Sequence, residues 1–275
     1  MTLATEKLAG SVGAAITGLD ADTLLADDAL PVVVMEALEE HGVLVFPELH
    51  IDDDTQIAFS KRLDDVGKAE PAAPPSIYTV SLDPEKSHTA AYTLGTFNWH
   101  IDGAQDDVPT KATTLSAKAV SSNGGETEFA STYAAYDALT DTEKEQFAEL
   151  QVLHSFEASQ RLVHPDPSPQ ELARWREKPD KVHPLVWRHR SGRCSLVIGV
   201  TADHVVGMEP ESGKALLDSL LARATAPERV YRHHWTVGDL VIWDNTGVMH
   251  RVEPYDASSA REMHRTTMSG DEPIQ

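Results

Sequence analysis

The chain is nearly without cysteine: of its 275 residues only Cys194 carries a thiol. An internal disulfide is therefore excluded, and so is any zinc or iron–sulfur cage built from several thiolates. A small buried hydrophobe is the role expected of that side chain. Positive charge is scarce too: Lys plus Arg number 23 against 44 for Asp plus Glu, a net charge of −21. Such a surface repels nucleic acid and anionic membranes at long range, so neither is expected as a partner. No apolar run approaches the roughly 20 residues needed to span a bilayer. The N-terminal segment lacks the basic-then-apolar layout of a signal peptide, which makes the cytoplasm the expected location. Internal repeats and low-complexity tracts are also missing.

What is there is an ordinary globular composition, 41% hydrophobic and 24% charged, able to bury a real core. The length suits one large β-rich catalytic domain, and residues 1–275 are read as a single domain. Residues 29–41 carry helical periodicity with Gly42 as a C-cap, followed by the β-type run Val43-Leu44-Val45-Phe46. A second helix is expected over 51–66, opened by Asp52, Asp53 and Asp54. Residues 67–96 read as a long loop, the kind of segment that serves as a lid. Beyond Trp99 the texture turns to strands: 112–120, then 126–130 after the turn Asn123-Gly124-Gly125. A helical insertion follows, with Thr140 and Glu143 as a capping box, and 164–181 is a second irregular excursion. Hairpins are expected at 185–189 with 194–199, around Ser191-Gly192, and at 230–237 with 240–243, around Gly238-Asp239. Residues 213–224 form a helix and 261–268 the last strand. Helices at the start and in a central insert, with strands elsewhere, predict an α+β fold on a double-stranded β-helix, or jelly-roll, core. A doubly wound α/β fold is disfavoured, because strands and helices do not alternate and no glycine-rich strand-to-helix turn occurs.

The sharpest chemical pattern is Trp99-His100-Ile101-Asp102-Gly103. In extended backbone, residues i and i+2 share a face, so His100 and Asp102 can present one nitrogen and one oxygen to a single cation. His250, after a turn in the C-terminal third, completes two His and one carboxylate. This facial triad leaves open positions on iron for a chelating co-substrate and dioxygen. A zinc hydrolase with the same ligands would need a nearby carboxylate acting on bound water. Arg261 and Arg265 share a strand face with Met263. If that face is the interior, each guanidinium demands an anion; if it is solvent, they are an ordinary polar stripe. His264 points the other way. His233 and His234, being adjacent, cannot join one site, while His183, His189 and His204 are read as hydrogen-bonded structural residues.

Taken together, His100-x-Asp102, Gly124-Gly125-Glu126-Thr127, Trp243-Asp244-Asn245, His250 and Arg261-x-x-x-Arg265 resemble the signature of the taurine dioxygenase and chlorophenoxyacetate dioxygenase (TauD/TfdA) family. The similarity runs from Gly10-Ser11-Val12-Gly13-Ala14 to Gly270-Asp271-Glu272-Pro273. The resemblance implies a jelly-roll oxygenase using Fe(2+), 2-oxoglutarate and O2 to hydroxylate a small organic substrate, with succinate and CO2 as co-products. It implies that His100, Asp102 and His250 bind the metal, that Arg261 and the Thr127 hydroxyl hold the distal carboxylate of 2-oxoglutarate, that Arg265 sits near the substrate anion or the near carboxylate of 2-oxoglutarate, and that the Gly103 N–H faces the substrate. Asp244 and Asn245 are read as turn-formers that orient the strand before His250. Thr96 stands where taurine-type members carry a substrate-binding Asn, which argues against taurine. The runs His183-Pro184-Leu185 onward and Tyr231-Arg232-His233-His234-Trp235 look more like the chlorophenoxyacetate branch, which favours an organic carboxylate over an alkylsulfonate or sulfate ester. A homodimer or homotetramer is expected from the same likeness. The readings of another class are a metal-dependent hydrolase or isomerase, or a non-catalytic binding protein, on a cupin-like barrel.

Overall fold

The structure is a computed structural model describing residues 3–8, 10–68 and 72–275. Strands β1 (Ala4–Lys7) and β2 (Ala14–Thr17) lead to helices α1 (Ala21–Ala26) and α2 (Leu30–His41), then β3 (Val43–Phe46) and α3 (Asp53–Asp64). After β4 (Tyr78–Val80) and α4 (Ala90–Thr93) come β5 (Ala112–Ala119) and β6 (Thr127–Ser131). An insert holds α5 (Thr132–Asp137), α6 (Asp141–Phe147), β7 (Gln151–His154), α7 (Phe156–Arg161), α8 (Pro169–Trp175), β8 (Lys181–Pro184), β9 (Val186–Arg188), β10 (Cys194–Leu196), β11 (Ala202–Val205) and α9 (Pro210–Ala224). The chain ends with β12 (Val230–His233), β13 (Leu240–Asp244), β14 (Val248–Val252) and β15 (Glu262–Met268).

Local chemistry sets the helix ends. Asp52 caps α3 by accepting the Thr55 N–H at 2.8 Å, and the Gly42 N–H closes α2 on the Leu38 carbonyl at 2.7 Å. Thr140 and Glu143 form the expected reciprocal box before α6.

Two sheets carry the site. The larger runs β1-β2-β3-β13-β5-β15-β4, antiparallel except between β2 and β3; the smaller runs β12-β6-β14. Alternate residues of β3 serve opposite faces, as the two-residue repeat of a strand requires. Val43 and Val45 join Leu115, Val241, Trp243 and Met263 in a core that also takes Phe129 and Val248 from the smaller sheet, so the two sheets face each other. Leu44 and Phe46 pack on the other side, with Leu240 and Ile242, against Val34, Leu38, Phe59 and Leu63 of α2 and α3. The insert covers the smaller sheet, with Leu139, Phe147, Leu217 and Leu220 packed around Ala130 and Met249. Helices segregated against antiparallel sheets make the protein a mixed helix-and-sheet fold, not a doubly wound one.

Several expectations are corrected. Residues 230–237 and 240–243 are not a hairpin: β12 pairs with β6 in the smaller sheet, whereas β13 pairs with β3 and β5 in the larger one. The turn at Gly238 passes the chain between sheets. The Gly238 φ of +97° is in the range that favours glycine, and a Cβ there would stand 2.3 Å from the His50 ring, which would have to shift. The 67–96 segment is not all loop. It holds β4, α4 and a 3-10 turn at Leu94–Phe97, with β4 added to the sheet edge against β15; positions 69–71 lie outside the described residues. The 164–181 excursion contains α8, opened by a Ser168–Glu171 capping box with Pro169 in the first turn. The hairpin around Ser191-Gly192 is present, as β9 paired with β10. Cys194 is half-buried against the apolar cluster of the insert.

Candidate active site

His100 and His250 meet across an isolated antiparallel bridge, each backbone N–H donating to the other's carbonyl at 3.0 and 2.9 Å. Their rings lie with centroids 4.1 Å apart. Asp102, two residues along the same extended segment, turns its carboxylate to both: Oδ1 is 3.9 Å from His100 Nε2 and Oδ2 is 3.8 Å from His250 Nε2. The three ligand atoms lie within 4.8 Å of one another, as a single cation requires.

Protonation suits the same task. The His100 Nδ1 lies 2.8 Å from the Asn98 carbonyl; as an N–H donor there, it leaves the Nε2 lone pair for a metal. Burial pushes both imidazoles down, His250 well below the ordinary range, so both are neutral at pH 7 and able to serve as ligands. Burial alone would push the Asp102 carboxyl up. The Arg265 guanidinium, the two imidazoles and the Thr113 hydroxyl outweigh it and hold the group at about 2. Two neutral nitrogens and one fixed negative oxygen fit a divalent cation.

Asp102 is held from behind. Its Oδ2 accepts from Arg265 Nη2 at 2.8 Å and from the Thr113 hydroxyl at 3.1 Å. Asn245 Nδ2 donates in turn to Thr113 Oγ1 at 3.0 Å and to Thr110 Oγ1 at 3.1 Å. Thr113 and Asn245 are both fully buried. Asn245 therefore does more than form a turn. Asp244 fits the turn-former reading, its Oδ1 taking the Thr246 N–H at 2.9 Å and hydroxyl at 2.6 Å. Thr113 was missed because a lone threonine within a strand gives no chemical signal until its register is known.

Arg261 faces inward and is only 2% exposed. Its Nε donates to the Gly125 carbonyl at 3.2 Å and its Cζ sits 4.9 Å from the centre of the Tyr255 ring. Both terminal nitrogens, Nη1 and Nη2, are buried with no protein partner among the described residues. Burial also works against the charge, drawing its pKa down. The Gly124-Gly125 pair now has a physical reason. A Cβ on Gly124 would stand 2.1 Å from the Pro254 carbonyl oxygen, and one on Gly125 would stand 3.0 Å from Cδ and Nε of Arg261. Thr127, two residues on, accepts the Trp235 indole N–H at 2.9 Å, and Trp235, Gly125 and Arg261 line one small hollow of about 120 Å³.

A cavity of about 340 Å³ beside the His100–Asp102 pair is lined by His100, Asp102, Arg265, Gly103 and Thr96, among others. Thr96 spends its hydroxyl proton on the Thr93 carbonyl at 2.6 Å. Arg265 differs from the expectation of a guanidinium free for an outside anion, since Asp102 already engages one of its nitrogens; its Nε remains buried and unpartnered. His264 points away, its Nδ1 lying 2.7 Å from Asp53 Oδ1. His233 meets Asp239 at 3.1 Å while His234 is exposed on the opposite side. His189 and His204 are hydrogen-bonded, to Ser195 and Asp203; His183 is buried and bonds the Asp106 backbone, its Nε2 having no partner.

With this geometry in place, comparison with known proteins is direct. The family model for "Taurine catabolism dioxygenase TauD, TfdA family" matches residues 4–267. The chain belongs to the TauD/TfdA family. It is 34% identical over 272 residues to the (S)-phenoxypropionate/alpha-ketoglutarate-dioxygenase of Sphingobium herbicidovorans, covering 96% of this chain and 94% of the relative. It is 36% identical over 250 residues to the alpha-ketoglutarate-dependent 2,4-dichlorophenoxyacetate dioxygenase of Cupriavidus pinatubonensis, covering 85% and 86%. The crystal structure of AAD-2 in complex with Mn(II) and N-oxalylglycine superposes with a TM-score of 0.84 at 33% identity, covering 100% of both chains. The protein is thus a dioxygenase that uses iron(II), 2-oxoglutarate and dioxygen.

In this dioxygenase the strand bearing His250 is fixed by a charge cluster on the outward face. Glu128 of β6 accepts from Arg232 of β12 at 2.5 Å and from Arg251 of β14 at 2.7 Å. These residues are direct register partners, so the cluster ties together the three strands of the smaller sheet. The Arg251 guanidinium also lies 5.1 Å from the centre of the Trp99 ring, beside His100 in sequence.

Proposed function

We propose that His100, Asp102 and His250 hold the iron(II), that Arg261 with Thr127 receives the distal carboxylate of 2-oxoglutarate, and that the substrate is a small organic carboxylate of the aryloxyalkanoate type. The two facing sheets are then a double-stranded β-helix within one catalytic domain. The observation that carries the reading is the pair of buried, unpartnered terminal nitrogens on Arg261. A planar guanidinium with both donors vacant matches a carboxylate bidentately, and leaving it unpaired in the core is costly. The bound metal and co-substrate supply the oxidising power that hydroxylates a substrate C–H bond, 2-oxoglutarate leaving as succinate and carbon dioxide.

The chain's own part is orientation and exclusion. The bridge to His250 sets the His100 ring, and the Asn98 carbonyl fixes which nitrogen faces the cation. Arg265 and Thr113 hold the far side of Asp102. Arg265, on the cavity wall, supplies positive charge for the substrate carboxylate, with the Gly103 backbone and Thr96 alongside. Tyr78, Tyr92 and Phe156 offer apolar walls for an aryl group. Hydrolysis is not supported: among the described residues lining the cavity, Asp102 is the only carboxylate, so none is left to activate water.

A succinate-release assay with iron(II), 2-oxoglutarate and panels of aryloxy acids, other carboxylates, sulfonates and sulfate esters tests this. Turnover is expected with aryloxy or related carboxylates and is expected to vanish in His100→Ala and Asp102→Ala. Turnover of sulfate esters alone would reassign the substrate; full activity in either variant would overturn the metal site.

A further inference from the structure

The cavity beside the His100–Asp102 pair does not end at the aryl walls. A second hollow of about 350 Å³ lies against it, and Ile101, Gly103, Gln105, Lys178 and Thr201 line both. None of His100, Asp102, His250 or Arg265 lines this outer hollow, so it extends the cavity away from the chemistry. The shared wall carries the polar side chains of Gln105, Lys178 and Thr201.

Two donors on that wall have nothing to bind. Lys178 Nζ lies 4.6 Å from the centre of the Phe156 ring and has no carboxylate partner among the described residues. Of the other cations nearby, Lys181 pairs with Asp107 at 2.7 Å, and Arg265 gives one nitrogen to Asp102 at 2.8 Å while facing the inner cavity. Gln105 Nε2 is buried with no hydrogen-bond partner. A buried amide donor left unmade costs free energy that a ligand's acceptor would restore. Lys178 is solvent-exposed, and the outer hollow is also lined by Asp106 and by Asp107, which Lys181 pairs, so an incoming anion is received there by Lys178 and the Gln105 amide against one unpaired carboxylate.

Resting on the substrate reading above, we propose that Lys178 and Gln105 form a distal anion subsite, and that the preferred substrate is an acid with a second anionic group at the end remote from the attacked carbon. One end of such a molecule is held at Arg265 beside the metal. The aryl body lies against Tyr92 and Phe156, whose rings are 5.8 Å apart, and the far carboxylate reaches Lys178 and the Gln105 amide. The cation over Phe156 is already stationed there, which lowers the ordering cost of receiving that group.

The test compares phenoxyacetate with 4-carboxyphenoxyacetate in the succinate-release assay, using wild type, Lys178→Met and Lys178→Glu. Wild type is expected to show a KM about tenfold lower for the diacid, the worth of one charge-assisted hydrogen bond. That preference is expected to collapse toward unity in K178M and to invert in K178E, which should instead favour 4-(aminomethyl)phenoxyacetate. Equal KM values for the two acids in wild type, or a diacid preference that survives in K178M, would overturn the subsite. No succinate from any aryloxy acid would defeat the substrate reading itself, a different result. Retained uncoupled succinate formation in the variants shows that they are folded.

Discussion

Thr113 shows how much of the site depends on side chains that never touch the metal. Its hydroxyl bridges Asn245 to Asp102, so the carboxylate proposed to bind the metal is oriented by a neighbour from β5 and a turn after β13. Outer partners of this kind typically alter metal affinity 10–100-fold. Thr113→Val, nearly isosteric, is expected to weaken Mn(II) binding by about tenfold or more in anaerobic calorimetry. Thr113→Ser should restore most of it; an unchanged affinity in the valine variant would leave Thr113 a packing residue. Asp244 carries a second prediction. Burial first, then repulsion from Glu39, raises its pKa to about 6 from an ordinary 3.8, despite the Thr246 hydrogen bonds. A carboxyl whose folded value is the higher one costs stability as it ionises. The cost is absent below the unfolded value, grows between 3.8 and about 6, and is complete above that. A shift of about two units amounts to about 3 kcal/mol at most. Asp244→Asn, which keeps an acceptor for Thr246, is expected to raise the denaturation midpoint at pH 8 and to leave it unchanged at pH 4. An equal effect at both pH values would contradict that origin.

At the scale of elements, the Gly124-Gly125 turn and Arg261 form one device. Alanine at 125 places a Cβ 3.0 Å from the arginine stem on backbone with φ of +86°, so the guanidinium must move. Gly125→Ala is expected to raise the KM for 2-oxoglutarate much more than that for the prime substrate. Arg261→Ala should raise it by about a hundredfold, since hydrogen bonds to a charged carboxylate are worth about 1.5–3 kcal/mol each. If only the prime substrate's KM moved, the roles of Arg261 and Arg265 would be exchanged. Elements were also where reading the sequence succeeded and failed. α2, α3, α6 and the 185–199 hairpin were legible because their signals are local: caps, periodicity and a two-residue turn. The 230–243 segment looked like a hairpin for equally local reasons, yet its halves belong to different sheets. Local turn chemistry does not say which partners a strand will find: β12 pairs with β6, and β13 with β3 and β5. The short edge strand β4 and helix α8 were hidden by brevity and by surrounding prolines.

At the scale of the whole molecule, the candidate site was more legible than the topology. His100, Asp102 and His250 come together from distant stretches as their residue types suggested, and Arg261 is turned inward and buried. The pairing of Arg265 with Asp102, and the part of Thr113, required three-dimensional register. Net charge supplies the global prediction. At −21 the surface opposes an incoming anionic acid, and screening length shrinks from about 30 Å at 0.01 M salt to about 10 Å at 0.1 M. Raising ionic strength over that range is expected to increase kcat/KM for a dianionic acid several-fold, with less effect on a neutral analogue. A fall with salt would mean that local cations, not the overall field, govern capture. The measurement that tests the central claim most directly is a crystal structure of the protein with Mn(II) and N-oxalylglycine. The account predicts one cation bound by His100 Nε2, Asp102 and His250 Nε2, with the far carboxylate of the analogue on Nη1 and Nη2 of Arg261. A cation bound elsewhere, or an Arg261 fork still unpaired beside the bound analogue, would contradict it.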